Sequence, residues 1–372
     1  MSLEAVSQSP QFNPHMLILG RDVRGVTQSE LSDAMGFGQG TVSKVETGVL
    51  PATDDLINSA AQFLRFPREF FFEPGRPYGM PPFHYRRRKK LSAKALGKIV
   101  AEMNIRRLHL TKMLRSFERK TNAFIPEIDR DEYQGGKKAP LTPEEAARVI
   151  RESWMLPRGP IPNMIELLEA NGGIVIPCDF GSDLIDAMSQ RIDGLPVLFF
   201  VNSHAPADRL RHTLAHELGH MVLHTLSVRD DDVMEDEADA FAGAFLLPAE
   251  EIRPQLRKFD LRQLANLKSY WKVSMAAIAV RADRLKLITP YQSKMFWIEM
   301  SRLGYRKREP NEPPKETPNL LRQMIAFHMK KLEYSIKEMA HLLCLMPTEF
   351  ESMYREEIAG MNNFRPSLRI IK

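Results

Sequence analysis

Cysteine is scarce in this sequence of 372 residues, which contains two, Cys178 and Cys344, far apart along the chain. This scarcity argues against a disulfide framework and predicts a reducing compartment. Long apolar runs are also missing, since the longest, Leu195–Val201, is far too short to span a bilayer. No N-terminal stretch combines a basic start, an apolar centre and a small-residue cleavage site, so no export signal is predicted. We therefore expect a cytoplasmic protein with no membrane association.

The remaining composition is that of an ordinary folded protein. Hydrophobic residues make up 43% and charged residues 27%, as in globular domains and unlike disordered chains. The formal net charge of +5 and the sequence pI near 9.1 permit binding to a polyanion without proving it. The length suffices for two or three domains, each with its own core.

Proline-rich stretches divide the chain. Glu73–Pro82 holds four prolines and two glycines, and Glu309–Pro318 is both proline-rich and charged, so each is predicted to be a linker. The basic run Arg86–Lys90 is interpreted either as an extra phosphate contact or as a solvated linker face. No internal repeat at a fixed period is evident. The predicted regions are 10–73, 74–140, 141–290 and 310–372.

The hydrophobic patterns predict a multidomain, mainly α protein. Helix-start signatures occur at Ser92, before a helix of about two dozen residues, and at Thr142, which precedes a proline and two acids. Regions 10–73 and 310–372 are expected to be helical, whereas 141–290 is expected to be a compact α+β unit. Its predicted strands are Ile174–Pro177 and Leu195–Asn202, and its predicted helices include Ile161–Asn171, Ala207–Leu223 and Glu235–Phe245.

A metal-binding pattern, His216-Glu217-Leu218-Gly219-His220, lies in the helix predicted at Ala207–Leu223. Helix positions four apart project about 40° apart, so both imidazoles can point at one cation while Glu217 polarises water bound to it. The strand predicted just before this helix is a candidate sheet edge, which would bind extended substrate through its main chain.

A catalytic zinc site needs three protein ligands and one open position, so a third ligand is expected downstream. The acidic segment Glu235–Asp239 opens the next predicted helix. Glu235 is the favoured ligand, and Glu237 is its rival. Asp239, one turn further on, can accept a hydrogen bond from a ligating histidine and fix its tautomer.

A simpler interpretation of the pattern is a helix surface that happens to carry histidines. The HExxH pattern arises by chance in many proteins, and histidine recurs here every four residues, at His212, His216, His220 and His224. The acidic helix that follows favours the metal site. His212 and His224 are then expected to support the site or the fold and not to bind the ion.

The block RLRHTLAHELGHMVLH, followed by EDEADAFAGAFLLP, resembles the ImmA/IrrE-type metallopeptidases over about Leu141–Leu287. The resemblance implies a thermolysin-like (zincin-like) fold and cleavage of a helix-turn-helix repressor, usually a separate chain. The residues carried over are His216, His220 and Glu235 as Zn²⁺ ligands and Glu217 as general base. Asp239 departs from the family pattern, in which asparagine is common at this position.

The chemistry expected of such a site is peptide hydrolysis. Zinc lowers the pKa of bound water, Glu217 takes its proton, and the hydroxide attacks a polarised carbonyl. Glu217 then delivers the proton to the leaving amine. His212 and Tyr270 are candidate stabilisers of the oxyanion.

A second motif lies in Val26–Gly48, near the N-terminus. Thr27 can cap a short helix, Gly36 allows a turn, and a second helix starts near Gln39. The side chains predicted to face the core are Leu31, Ala34, Val42 and Val45. An exposed polar helix suits the major groove, because glutamine reads adenine and lysine meets phosphate or guanine. The outward residues predicted for this role are Gln39, Thr41, Ser43 and Lys44.

This pattern resembles the λ-repressor/Cro-like helix-turn-helix, and Asn13–Phe72 accounts for a complete five-helix domain of that kind. The resemblance implies binding to double-stranded DNA, with Gln28 opening one helix against the DNA backbone and Gln39 opening the recognition helix. Such domains usually act as dimers on two-fold sites, so a homodimer is expected. The alternative is a helical hairpin that uses the same core without binding DNA.

The C-terminal stretch Tyr334–Tyr354 echoes this pattern with apolar residues at helical spacing. It lacks a polar second helix comparable to Gln39–Lys44. We therefore expect a packing or oligomerisation element in preference to a second DNA reader.

The motifs together predict a DNA-binding regulatory zinc metalloendopeptidase that cleaves a transcription repressor in a stress, mobile-element or toxin–antitoxin-like response. The alternative is a transcription regulator whose zincin-like domain senses a ligand or partner without hydrolysis. Retention of Glu217 favours the peptidase, because a pure binding module does not need the base. A third hypothesis is cleavage of the protein by itself within Glu73–Pro82.

Overall fold

The computed structural model describes residues 11–79, 91–117, 124–129, 141–182, 184–226 and 230–363. Over these residues the protein is mainly helical with one three-stranded sheet, which agrees with the prediction of a mainly α protein that includes an α+β unit. The sheet lies between two apolar cores, because its strands are buried on both faces. Val175 and Phe199 belong to one core, and Ile174 and Phe200 belong to the other.

The N-terminal unit consists of four α-helices and a 3₁₀ helix. Their bounds are α1 Pro14–Val23, α2 Gln28–Met35, α3 Gln39–Glu46, α4 Asp54–Leu64 and, for the 3₁₀ helix, Arg68–Phe72. Thr27 caps α2 as predicted, and Gly36 has a φ of 73°, which permits the turn to α3. The prediction for Ala34 is wrong, since Ala34 is exposed and Met35 is buried instead. Because α2 begins at Gln28, its inward positions fall at 31, 32 and 35.

Two further helices begin where the sequence predicts. Ser92 caps α5, Ala93–Leu114, and Thr142 caps α6, Pro143–Ser153. The basic run Arg86–Lys90 lies outside the described residues.

The predicted linker Glu73–Pro82 is described over residues 73–79, and this part is tied to the fold. Asn13 Nδ2 donates to the carbonyls of Glu73 and Gly75 at 2.7 and 2.8 Å. The Asn104 amide bonds both the N–H and the carbonyl of Tyr78. These residues are therefore a fixed connection and not a loose spacer.

The sheet follows α7, Met164–Ala170, and has the order β1-β3-β2. Its strands are β1 Gly173–Cys178, β2 Ala187–Gln190 and β3 Val197–Asn202. Strand β3 pairs in parallel with β1 and antiparallel with β2. The prediction that β3 forms an edge is therefore wrong, since β3 is central. Sequence reasoning missed β2 because its four residues, AMSQ, include no β-branched or aromatic side chain.

Two helices, α8 (Ala207–Leu223) and α9 (Asp231–Leu246), cross closely at Gly219. A Cβ at Gly219 would lie 3.2 Å from Ala238 Cα, so a larger residue would force the helices apart. Helix α8 has its predicted bounds. Helix α9 starts earlier than predicted because Asp230 caps it.

The remaining helices divide between the two cores: those of residues 249–302 pack in the core of Val175 and Phe199, and those of residues 320–359 pack in the core of Ile174 and Phe200. They are α10 Ala249–Ile252, α11 Leu261–Trp271, α12 Met275–Arg284, α13 Pro290–Arg302, α14 Leu320–Lys330, α15 Ile336–Leu342, α16 Pro347–Met353 and α17 Arg355–Ala359. Short 3₁₀ helices follow α10 and α17. Among the helices of the described residues, none has both the length and the apolar character needed to cross a membrane.

Residues 309–319, here called the strap, pack against the helices. The prediction that Glu309–Pro318 is a linker is therefore wrong. Glu309 accepts hydrogen bonds from the N-terminal amides of α12, Glu312 from that of α8 and Glu316 from those of α7. Carboxylates at these places satisfy unpaired N–H groups and face the positive ends of the helix dipoles. The strap thus joins three helix starts.

Candidate metal centre

Two histidines of α8 and one glutamate of α9 converge on one point. His216 and His220 are about one helical turn apart, and their Nε2 atoms lie 3.1 Å from each other. Glu235 Oε2 lies 3.7 Å from His216 Nε2, and Glu235 Oε1 lies 3.3 Å from His220 Nε2. The close crossing at Gly219 brings the two helices near enough for this approach.

The geometry of these three residues fits a cation with tetrahedral coordination. Metal–ligand bonds of about 2.0 Å place neighbouring ligand atoms about 3.3 Å apart, which is close to the observed separations. One ligand atom of each residue lies within 4.8 Å of the other two. Two imidazoles and one carboxylate are also the donor set of catalytic zinc sites that keep a fourth position open.

Asp239 orients His216. Its Oδ1 lies 2.7 Å from His216 Nδ1, so Nδ1 donates to it, and in the neutral ring the Nε2 lone pair is on the side of Glu235. Burial lowers the pKa of His216, but the hydrogen bond and charge of Asp239 outweigh it and raise the pKa above its ordinary value. Burial raises the pKa of Asp239, but its bond to His216 outweighs that effect and brings the pKa to about 2.

His220 is held by a chain of two further residues. Its Nδ1 lies 2.9 Å from His224 Nδ1, and His224 Nε2 lies 3.1 Å from Glu237 Oε2. If His220 binds a metal through Nε2, its Nδ1 carries a proton and donates to His224, which then donates from Nε2 to Glu237. Burial lowers the pKa of His220 to about 3, and the neutral imidazole is the form that binds metals. Glu237, the rival ligand by sequence, contacts His224 in this arrangement.

Glu217 contacts strand β2. Ser189 Oγ donates to Glu217 Oε2 at 2.7 Å, and both residues are fully buried. The bond holds the carboxylate in place. The sequence did not predict a role for Ser189. Strand β2, on which it lies, was not predicted either, and no local pattern indicates that this serine contacts Glu217.

The centre is closed in this conformation. His216 is 3% exposed, and Glu217 and His220 are 0% exposed. The side chain of Glu235 is 12% exposed. A peptide must therefore displace part of the surrounding structure to reach Glu217.

A cavity of about 230 Å³ adjoins the centre, bordered by Asp239 and His212. The Asp239 side chain is 50% exposed, and none of His216, Glu217, His220 and Glu235 lines the cavity. Tyr270, the other candidate oxyanion stabiliser, does not border the cavity, and its ring packs edge-on against that of Trp271. The structure thus places His212, but not Tyr270, at the cavity beside Asp239.

The residues predicted to contact DNA lie on α2 and α3. Gln39 and Lys44 are exposed, whereas Gln28, Thr41 and Ser43 are half-buried. Gln39 Nε2 lies 3.3 Å from Gln28 Oε1, so the first residues of the two helices adjoin. The structure brings these two glutamines together at one end of the helix pair.

Two arginines near this helix pair are matched with carboxylates. Arg21 pairs with Asp22 and with Glu46. Arg24 pairs with Glu349 of α16. Neither arginine is therefore an isolated positive charge beside α2.

Comparison with known families bears on the centre and not on this helix pair. A model of the M78 peptidase family, described as the IrrE N-terminal-like domain, matches residues 171–283. This range holds the sheet, α8, α9 and the three converging residues His216, His220 and Glu235. No curated protein matches the sequence. The family match supports a metallopeptidase-like domain over residues 171–283.

Proposed function

We infer that the protein is a DNA-binding regulatory zinc metalloendopeptidase. The observation that carries this proposal is the convergence of His216, His220 and Glu235 within a domain that matches a peptidase family. A nitrogen-rich set with one carboxylate suits Zn²⁺ better than Mg²⁺ or Ca²⁺, which prefer oxygen ligands. The three side chains are the proposed zinc ligands.

The remaining residues of the centre have separate tasks. When bound, the ion supplies Lewis acidity, which acidifies water and polarises a carbonyl. Glu217 takes the proton of the attacking water and returns it to the leaving amine. Ser189 holds the Glu217 carboxylate, and Asp239 and His224 keep the ligand histidines in the metal-binding tautomer.

The proposed substrate is a helix-turn-helix transcription repressor, and the proposed setting is a stress, mobile-element or toxin–antitoxin-like response. DNA binding is assigned to α2 and α3, with Gln28 at the backbone and Gln39, Thr41, Ser43 and Lys44 on the reading helix. The adjoining Gln28 and Gln39 side chains and the exposed Lys44 support this assignment. A homodimer is proposed, since such domains act on two-fold sites.

Cleavage of purified repressors encoded beside this protein tests the enzymatic part. Glu217→Gln keeps the shape of the side chain but cannot take a proton, so we expect normal zinc content and a rate about 10²–10⁴-fold lower. Mass spectrometry of the repressor fragments gives the scissile bond. Cleavage by Glu217→Gln at the wild-type rate would rule out the proposed base.

The burial of the centre favours a second candidate, a regulator that senses a ligand or partner without hydrolysis. His216, Glu217 and His220 are almost inaccessible in this conformation. A sensor is expected to change its DNA affinity when zinc is removed and to leave every repressor intact. Fragments that appear with wild type and not with Glu217→Gln exclude this candidate.

Self-cleavage between the N-terminal unit and the rest of the chain is disfavoured over residues 73–79. Hydrogen bonds from Asn13 and Asn104 hold this stretch against the fold, whereas a peptidase needs an extended segment that it can pair with. Incubation with zinc should therefore release no fragment cut within these residues.

A further inference from the structure

Two helix pairs of this protein have the same construction. The first pair, α2 with α3, spans residues 28–46, and the second pair, α15 with α16, spans residues 336–353. Each begins with a capping box, in which an N-cap hydroxyl and a glutamate three residues later bond each other's backbone. The boxes are Thr27 with Glu30 and Ser335 with Glu338. The residues of the two pairs correspond one to one with no insertion, in keeping with the similar apolar spacing of Tyr334–Tyr354 in the sequence.

The turns and the cores of the two pairs also correspond. Gly36 and Cys344 have positive φ values of 73° and 55°. The next residue bonds back to the preceding helix in both pairs, Phe37 N to Ser32 O at 3.0 Å and Leu345 N to Ala340 O at 2.8 Å. The matching buried residues are Leu31 and Met339, Ser32 and Ala340, Met35 and Leu343, Val42 and Phe350, and Glu46 and Tyr354. The second pair therefore has a helix-turn-helix core.

The outward chemistry of the two pairs differs. The counterparts of Gln39, Ser43 and Lys44 are Pro347, Glu351 and Ser352. Helix α16 contains two glutamates and no lysine or arginine. Duplex DNA carries one negative charge per about 1.7 Å of its axis, so it repels such a helix.

Helix α16 instead contacts the N-terminal unit. Glu349, the counterpart of Thr41, accepts hydrogen bonds from both Nη atoms of Arg24 at 2.6 and 2.9 Å. Arg24 Nε donates to the Leu64 carbonyl at 2.7 Å, and its guanidinium lies 4.4 Å from the Phe66 ring centre. A bidentate, stacked arginine of this kind is a specific anchor for a carboxylate.

We propose that the second pair is a protein-binding helix-turn-helix whose partner is the N-terminal unit of the same chain. A position that would face DNA in a recognition helix is occupied by Glu349, which binds Arg24 at the junction of α1 and α4. The first pair alone is then left to read DNA. This assignment does not depend on peptidase activity.

Charge reversal in the full-length protein tests the proposed contact by hydrogen exchange. Arg24→Glu and Glu349→Arg should each speed amide exchange in α16 and at the end of α4 by about tenfold, and the double reversal should restore it to within about twofold. Glu351→Arg makes the same charge change at an exposed position of the same helix, so it is the matched control and should have no effect. Exchange that stays at the wild-type rate in both single reversals overturns the proposal.

Titration with a fluorescent duplex separates protein binding from DNA binding. Thr348 and Ser352 are exposed polar residues of α16. The double substitution Thr348→Ala with Ser352→Ala should leave the DNA affinity within about twofold of wild type, because α16 does not meet the duplex. A loss of about tenfold or more would identify the second pair as a DNA reader and overturn the proposal.

Discussion

His216 and His220 differ in the residue that forms a hydrogen bond with Nδ1. His216 Nδ1 donates to a carboxylate, Asp239, whereas His220 Nδ1 is bonded to His224 Nδ1, and His224 Nε2 is bonded to Glu237. Both arrangements keep the proton on Nδ1 and leave Nε2 for a metal. At His220, this effect requires that His224 Nδ1 accepts the hydrogen bond.

Replacement of His224 by phenylalanine keeps a ring of similar size but removes the acceptor for His220 Nδ1. We expect zinc affinity to fall by about 10–100-fold, since supporting residues of metal sites commonly have this effect. Glu237→Gln should lower the zinc affinity less than His224→Phe does, because the amide oxygen of glutamine can still accept a hydrogen bond from His224. Competition with a chelator measures both, with His341→Phe on the exposed surface of α15 as control. Unchanged affinity in His224→Phe would contradict the role given to this residue.

Sequence reasoning reached the residues of this centre unequally. His216, Glu217 and His220 could be predicted because they share one helix at fixed spacing. The contact of Ser189 with Glu217 could not be predicted, because it depends on the packing of β2 against α8 and not on any local pattern. The hydrogen bond of His224 also depends on a neighbouring helix, so its spacing alone left its role open.

At the level of elements, side chains that accept hydrogen bonds from free backbone amides cap the helix starts: hydroxyl groups from the adjoining chain and carboxylates from the strap. Capping residues such as Ser92 and Thr142 could be predicted because each bonds its own helix. The strap was predicted as a linker because its prolines and charges indicate no periodic structure. Its partners are distant in sequence: Glu316, for example, binds α7 and pairs with the buried Arg211.

Glu169 joins two elements and gives a pH-dependent prediction. It accepts backbone hydrogen bonds from Asn319 and Leu320 at the start of α14, yet burial raises its pKa from 4.5 to about 7. The folded state therefore binds this proton more tightly than the unfolded state, so its contribution to stability falls as the pH rises from 4.5 through about 7.

The variant Glu169→Gln removes this titration. Between pH 4.5 and pH 8, the unfolding free energy of wild type should fall by about 3 kcal/mol more than that of the variant, since one pKa unit corresponds to about 1.4 kcal/mol. Denaturant unfolding at a series of pH values measures the two profiles. Parallel profiles would show that the Glu169 pKa is not raised in the folded protein.

At the scale of the whole molecule, one apolar core includes residues of the N-terminal unit, α5, one face of the sheet and the C-terminal helices. Hydrophobic periodicity predicts which face of each helix is buried but not which element covers it. The separate regions inferred from sequence therefore gave no sign that Leu17, Met103, Phe200 and Phe350 belong to one core.

The proposed DNA contact gives a prediction at this scale. Lys44→Ala should weaken binding to duplexes of different sequence to a similar extent and lower the slope of log affinity against log salt by about 1, if the exposed ammonium meets one phosphate. Lys337→Ala, an exposed lysine on α15, is the control. An unchanged slope in Lys44→Ala would remove this residue from the DNA interface.

Zinc content measured by elemental analysis tests the metal centre most directly. After chelation and reloading, wild type should hold about one zinc ion per chain, and Glu235→Ala, which lacks one of three ligands, should hold far less. Asp236→Ala, an exposed neighbour on α9, should retain the wild-type content. Equal zinc in wild type and Glu235→Ala would contradict the assignment of His216, His220 and Glu235 as the metal-binding residues.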